Sequence, residues 1–159
     1  MDNRLVCICG PTASGKTALS VALAKKLHTE IISADSMQLY RYMDIGTAKP
    51  TIEERQGIRH HLFDVCEPGE AFSVARYVEL ADAAAQDILS RSMIPVVVGG
   101  TGLYMDALIE CSTFSGDETD LLAPDGIDAV EDRRFEDLAE VREARVMGIN
   151  IEGKAAFTR

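Results

Sequence analysis

The sequence has little basic charge, few cysteines and no long hydrophobic run. Its 16 lysines and arginines stand against 26 aspartates and glutamates, which gives a formal net charge of −10. Nucleic-acid-binding surfaces are normally basic, so this balance argues against a large nucleic-acid footprint. The acidity is uneven, because residues 117–159 hold 12 acidic and only 6 basic side chains.

The four cysteines form no CxxC pair and no disulfide-dense pattern. They are Cys7, Cys9, Cys66 and Cys111. Two of them fall within the first apolar segment, where cysteine serves as a small hydrophobic residue. We therefore expect reduced, mostly buried cysteines.

No apolar stretch approaches the length needed to cross a bilayer. The first four residues, Met-Asp-Asn-Arg, lead directly into a strand-like segment, without a basic region followed by a long apolar one. These features predict a cytoplasmic enzyme that does not bind membranes. We expect a monomer, although the sequence does not determine the oligomeric state.

The most informative motif is Gly-Pro-Thr-Ala-Ser-Gly-Lys-Thr, which matches the phosphate-binding pattern G-x-x-x-x-G-K-[ST] and follows an apolar, strand-like run. In such a loop, backbone N–H groups point inward and the next helix adds its positive dipole end, so a diphosphate is the natural ligand. The predicted diphosphate-binding residues are Gly10, Pro11, Thr12, Ala13, Ser14, Gly15, Lys16 and Thr17. Lys16 is expected to contact terminal phosphate oxygens, and the Thr17 hydroxyl to complete the shell of a Mg²⁺ ion.

Strand and helix patterns alternate along the first 111 residues. The periodicity predicts strands at 5–9, 30–33, 61–65 and 95–98, and helices at 16–27 and 103–109, with a short helix after a Thr51/Glu54 capping box. Ser73 is expected to cap a further helix that runs to about residue 91, with Tyr77 on its apolar face. This alternation predicts an α/β fold, a P-loop NTPase-like open and mostly parallel sheet with helices on both faces. Ligands bind beyond the carboxyl ends of the strands in such folds.

The composition divides the chain into a P-loop α/β core at 1–116 and an acidic, partly helical tail at 117–159 of uncertain fold. Within the tail, residues 127–146 resemble a charged helix with a thin apolar face. Within the core, residues 34–50 lack periodicity and form a long loop, which in a compact domain usually has a function.

Asp35 lies just beyond the second predicted strand, at the same sheet edge as the phosphate loop. A carboxylate there can accept a proton from an acceptor nucleophile, or it can be an ordinary loop acid or helix cap. Thr101 lies in a Gly-Gly-Thr-Gly turn at the same edge, where it either contacts a ligand or belongs to a tightly packed turn.

The sequence gives only weak indications of other metal-binding residues. A nucleotide-hydrolysing motor would be expected to end a neighbouring strand in a magnesium-binding acid, yet the strand at 95–98 ends in glycines. Asp64 is a possible substitute, although an ordinary strand-end carboxylate is the simpler interpretation. His60 and His61 lack metal-ligand spacing and are interpreted as a strand-edge feature.

Four segments of the sequence resemble tRNA dimethylallyltransferases, also called tRNA isopentenyltransferases. They are the phosphate loop, Ser-Ala-Asp-Ser-Met-Gln-Leu-Tyr at 33–40, Met-Asp-Ile-Gly-Thr-Ala-Lys-Pro at 43–50 and Val-Gly-Gly-Thr-Gly-Leu-Tyr at 98–104. Their order and spacing are those of the family, and the resemblance covers residues 4 to about 111. The segment ending in Ala-Lys-Pro is far more specific than the phosphate loop.

The resemblance implies transfer of a dimethylallyl group from dimethylallyl diphosphate to N6 of the adenosine just 3′ of the anticodon in tRNA. It implies that Asp35 is the base and that Lys16, the loop amides and Mg²⁺ on Thr17 neutralise the departing diphosphate. Thr101 would hydrogen bond near the reacting amine or the bridging phosphate oxygen. The implied tRNA-binding residues are Asp35, Ser36, Met37, Gln38 and Thr101.

From about residue 112 the sequence departs from the family pattern, which continues with a tRNA-gripping insertion and basic C-terminal helices. We therefore expect a truncated or divergent member that keeps the donor site and the base-binding core. Three function classes stay open: a prenyltransferase, a small-molecule kinase with Asp35 as base, and a non-catalytic diphosphate-binding remnant. The kinase would need a lid with arginines, and the one arginine cluster in the sequence is Arg133–Arg134.

Overall fold

Parallel strands form one sheet in this computed structural model, which describes residues 5–10, 13–100, 102–111 and 146–150. The strands are β1 (Leu5–Cys9), β2 (Ile31–Ser33), β3 (His60–His61), β4 (Val96–Gly99) and β5 (Val146–Asn150). Their order across the sheet is β3-β2-β4-β1-β5, and every neighbouring pair is parallel. The chain leaves β1 towards one edge of the sheet and leaves β4 towards the other. This divergence opens a crevice at the carboxyl ends of the two central strands.

Helices cover both faces of the sheet, as the sequence predicts. They are α1 (Lys16–Leu27), α2 (Ile52–Arg55), α3 (Val74–Ser90) and α4 (Gly102–Cys111). Successive side chains of a strand point to opposite faces, so Val6 and Ile8 of β1 pack in one apolar cluster with α1. Leu5 and Cys7 pack in the other, with α3 and α4. The α/β class with a parallel sheet is confirmed.

Two helix starts follow the predicted capping chemistry. At α2, the Thr51 hydroxyl accepts a hydrogen bond from the Glu54 amide (3.2 Å) and the Glu54 carboxylate accepts one from the Thr51 amide (2.8 Å). At α3, the Ser73 hydroxyl accepts a hydrogen bond from the Arg76 amide at 3.1 Å. Both caps satisfy amides that the first helical turn leaves unpaired.

The predicted strand at 61–65 is wrong beyond His61. Leu62 and Asp64 have φ angles of 67° and 56°, in the left-handed region that an extended strand does not use. Strand β3 is therefore limited to His60–His61 at the sheet edge, which confirms the strand-edge interpretation of the two histidines.

Strand β5 was not predicted from the sequence. Its residues 146–150 pair with β1 along its whole length, from Leu5↔Val146 to Cys9↔Asn150. They join the core sheet although they belong to the predicted tail. Residue 146 therefore lies in a strand, and the rest of the predicted helix at 127–146 falls outside the described residues. The domain division at residue 116 stays a prediction.

Cys7, Cys9 and Cys66 form no disulfide; Cys7 and Cys66 are buried and Cys9 is half-buried. Burial raises the pKa of the Cys7 thiol well above its ordinary value. Among the described helices, none combines the length and the apolar character that a membrane crossing requires.

Candidate functional site

The carboxyl ends of β1, β2 and β4 converge on one point. The Ala34 amide donates a hydrogen bond to the Val98 carbonyl at 2.7 Å. A Cβ atom placed on Gly99 would lie 2.3 Å from the Ala34 carbonyl oxygen, and one on Gly100 would lie 3.4 Å from the Gly10 oxygen. Only glycine at 99 lets the backbones approach this closely, so the segments that begin the phosphate loop, the Asp35 loop and the Thr101 turn lie side by side.

The phosphate loop leaves the start of α1 without a side-chain cap. Gly15 is the N-cap residue, with φ of 90°, and the first turn of α1 holds no acidic residue. Ala13 also has positive φ, at 61°. An uncapped N-terminus on a 12-residue helix, reached through a turn of this kind, suits an anion. Pro11 and Thr12, also predicted to bind diphosphate, lie outside the described residues.

Lys16 lies at the same point, with its ammonium group 2.7 Å from the Gly10 carbonyl oxygen. Burial lowers the pKa of Lys16, and the negative charge of Asp35 opposes that shift. The two side chains predicted to act on opposite sides of the reaction therefore interact electrostatically.

Asp35 caps its own loop. Its Oδ1 atom accepts hydrogen bonds from the Met37 amide at 2.8 Å and the Gln38 amide at 3.3 Å. Within the described part of the chain, no donor contacts Oδ2. The carboxylate is thus oriented through Oδ1, while Oδ2 faces no described partner. This arrangement is compatible with a proton acceptor and with an ordinary loop acid or helix cap. Its role as base stays a prediction.

The predicted tRNA-binding residues differ in exposure. Met37 is 43% exposed and Ser36 is half-buried. The side-chain amide of Gln38 is engaged inside the loop, because it donates to the carbonyls of Thr47 (3.2 Å) and Ala48 (3.1 Å). Thr101 lies outside the described residues, and α4 begins directly after it at Gly102. The contacts of these residues with RNA stay predictions.

Two stacked tyrosines lie beneath the sheet edge from which the Asp35 loop begins, and one of them contacts the end of β2. The Tyr77 hydroxyl of α3 donates a hydrogen bond to the Ser33 carbonyl at 3.1 Å, in the interior. The Tyr77 ring stacks on Tyr104 of α4, with 4.3 Å between ring centroids. The helical periodicity placed Tyr77 on the buried face of α3, but no sequence signal showed that its hydroxyl would bind the end of β2.

The structure corrects the interpretation of Asp64. Its Oδ1 atom lies 2.8 Å from the ammonium group of Lys49, whose side chain is only 3% exposed. Asp64 therefore does not end a strand, because β3 stops at His61, and its carboxylate is the partner of a buried lysine. The sequence analysis missed Lys49, because a lysine in a polar loop is ordinarily solvated.

Thr17 fits a role at a magnesium site by position and chemistry. It follows Lys16 in the first turn of α1, is half-buried, and offers a hydroxyl oxygen, the ligand type that Mg²⁺ prefers. Its carbonyl oxygen accepts a hydrogen bond from the Ser20 hydroxyl at 2.9 Å, which completes this turn of the helix.

Comparison with known proteins shows the family of this chain. The family model described as IPP transferase matches residues 38–150, a range that extends through β5, and the model described as isopentenyl transferase matches residues 3–66. The chain belongs to the IPP transferase family. A tRNA dimethylallyltransferase from Anaeromyxobacter dehalogenans is 60% identical over 106 residues, which are 67% of this chain and 36% of that protein.

Solved structures of the IPP transferase family have the same fold. The tRNA isopentenylpyrophosphate transferase from Bacillus halodurans is 50% identical, with a TM-score of 0.67 over 88% of this chain and 43% of that one. A eukaryotic dimethylallyltransferase described as acting on tRNA is 39% identical, with a TM-score of 0.65 over 67% of this chain and 26% of that one. The chain spans about a third of the length of the curated relatives it matches.

Proposed function

We propose that the chain carries the donor site and the proton-accepting side of a tRNA prenyltransferase. The reaction would transfer a dimethylallyl group from dimethylallyl diphosphate to N6 of the adenosine 3′ of the anticodon. The observation that carries this proposal is the convergence of an uncapped phosphate loop and the Asp35 carboxylate at adjoining strand ends.

In the proposed reaction, N6 attacks the allylic carbon and the bond from that carbon to the diphosphate oxygen breaks. Lys16 and the amides at the start of α1 stabilise the negative charge that develops on the leaving diphosphate. Asp35 accepts the proton that N6 loses, with its carboxylate oriented by the Met37 and Gln38 amides. Thr17 would hold Mg²⁺, which when bound supplies further charge neutralisation for a diphosphate.

The test is transfer of radiolabelled dimethylallyl groups to unmodified tRNA by the native chain, Asp35→Asn and Glu79→Gln. Asparagine keeps the Oδ1 acceptor for the two amides but cannot take the proton, so we expect transfer to fall about 100-fold or more. Glu79→Gln is the control, because it also removes one negative charge, from an exposed position on α3. Calorimetry should show that all three proteins still bind dimethylallyl diphosphate.

Transfer by Asp35→Asn at the native rate would refute the role of Asp35 as the base. If the native chain binds the diphosphate in the presence of Mg²⁺ but transfers nothing, it is a diphosphate-binding remnant and the proposed activity is wrong for this chain.

A further inference from the structure

The loop that follows Asp35 buries a threonine and a lysine and exposes two large apolar side chains. Thr47 and Lys49 are buried, whereas Tyr42 is 81% exposed and Ile45 is 97% exposed. Loops usually show the opposite arrangement, because apolar burial is favourable and charge burial is costly. Apolar packing of these exposed side chains therefore does not account for the shape of the loop.

Lys49 forms three polar contacts that draw the loop together. Its ammonium group lies 2.7 Å from Asp44 Oδ1, 2.8 Å from Asp64 Oδ1 and 3.0 Å from the Tyr40 carbonyl oxygen. An ammonium group has three hydrogens, so each can serve one acceptor. Burial opposes the charge of this lysine, but the hydrogen bonds that it donates to Asp44 and Asp64 outweigh that effect, and the pKa of Lys49 is raised.

Gln38 connects Asp35 with the backbone segment that leads into Lys49. The Gln38 side chain donates to the carbonyls of Thr47 and Ala48, the residues just before the lysine, and accepts a hydrogen bond from the Ser33 hydroxyl at 3.1 Å. The backbone amide of Gln38 in turn donates to the Asp35 carboxylate. Hydrogen bonds thus join residues 33, 35 and 38 to residues 47 and 48, and Lys49 follows directly in the chain.

Strained backbone surrounds the lysine. Tyr42, Ala48 and Asp64 have φ angles of 63°, 53° and 56°. Such angles are unfavourable for residues other than glycine and persist only where surrounding contacts hold them. Tyr42 lies between two residues that contact Lys49, Ala48 precedes it, and Asp64 is its partner.

We infer that Lys49 is a positioning residue for the acceptor side of the site. Its ammonium group clamps the loop of residues 35–50 and so sets the direction of the Asp35 carboxylate, without touching substrate. The phosphate loop is built separately, on β1 and α1, and does not depend on this clamp. The part of the inference that concerns transfer rests on the proposed function.

The test compares Lys49→Met with the native chain and with Lys26→Met, which removes an exposed lysine from the last turn of α1. Hydrogen exchange should show that amides of residues 37–49 lose at least tenfold protection in Lys49→Met alone. Calorimetry with inorganic diphosphate should give a dissociation constant within twofold of native. In the transfer assay, kcat should fall at least tenfold while KM for the prenyl donor stays unchanged.

Asp64→Asn provides a second variant if Lys49→Met does not fold, and it should change the same amides in the same direction by a smaller factor. If the loop amides of both variants stay as protected as in the native chain, the inference is overturned. It is also overturned if the variants lose both the protection of the loop amides and the binding of diphosphate, because that result indicates general destabilisation. If the native chain transfers no prenyl group, the proposed activity fails, but the exchange and diphosphate measurements still decide whether Lys49 is the clamp.

Discussion

Gly99 shows how much of the site depends on one missing methyl group. The residue ends β4, where its backbone lies against Ala34 at the end of β2. Any larger residue would push these strands apart at the point from which Asp35 emerges. The Gly-Gly-Thr-Gly turn is thus a close-packed junction at its first glycine, whatever Thr101 contributes.

We predict that Gly99→Ala lowers the free energy of unfolding by about 1 to 3 kcal/mol, because the new methyl group would meet backbone atoms that cannot rotate away. Urea denaturation measures the effect. Gly102→Ala is the matched control, since among the described residues no atom lies within 4 Å of its Cβ position. Equal stability of the two variants would show that β2 and β4 separate without cost.

Helix α3 connects local sequence signals to the support of the site. Its buried residues are Tyr77, Ala81, Ala85, Ile88 and Leu89, which lie three or four residues apart except for the adjacent last two and so share one helix face. Through Tyr77 the helix contacts the end of β2, so its position affects the start of the Asp35 loop.

Removing the cap of α3 should destabilise the domain without altering the phosphate loop. Ser73→Ala deletes the acceptor for the Arg76 amide, and we expect a loss of about 1 kcal/mol in the free energy of unfolding. Ser90→Ala, at the other end of the helix, should change it by less than about 0.5 kcal/mol. A Ser73→Ala protein as stable as native in urea denaturation would mean that the start of α3 is held by its packing alone.

At the scale of the whole molecule, Glu30 joins elements that lie far apart in sequence. Its carboxylate accepts hydrogen bonds from Arg91, after α3, at 2.6 and 2.9 Å, and lies 2.6 Å from His61 Nε2 of β3. The hydrogen bonds from Arg91 lower the pKa of Glu30 to about 2, although burial opposes this shift and His61 adds to it.

The contribution of Glu30 to the free energy of unfolding should therefore decrease at acidic pH. A depressed folded pKa contributes stability above the unfolded pKa of 4.5, and that contribution is lost as the pH falls towards about 2. We predict that Glu30→Gln is less stable than the native chain at pH 7 and that the difference narrows from pH 5 to pH 2.5. Urea denaturation across this range, with Glu79→Gln as charge control, measures it. A difference that stays constant with pH would exclude the ionised Glu30 as its source.

Much of the local structure was predictable because its causes lie within a few residues. The phosphate loop, the caps at Thr51 and Ser73 and the buried face of α3 each arise from residue types at short, fixed spacings. The alternation of strands and helices indicated the parallel sheet, and the carboxyl-edge rule placed the phosphate loop and Asp35 together.

The sequence by itself determined which chemical groups are present at the site: a phosphate-binding loop, a lysine and a carboxylate at one sheet edge. Only the tertiary structure decided how they are supported. The burial of Lys49 against Asp64, the hydroxyl of Tyr77 on Ser33 and the pairing of β5 with β1 all join segments distant in sequence. Such contacts depend on the path of the whole chain, because short-range periodicity encodes neither the burial of a charged side chain nor the pairing of strands distant in sequence.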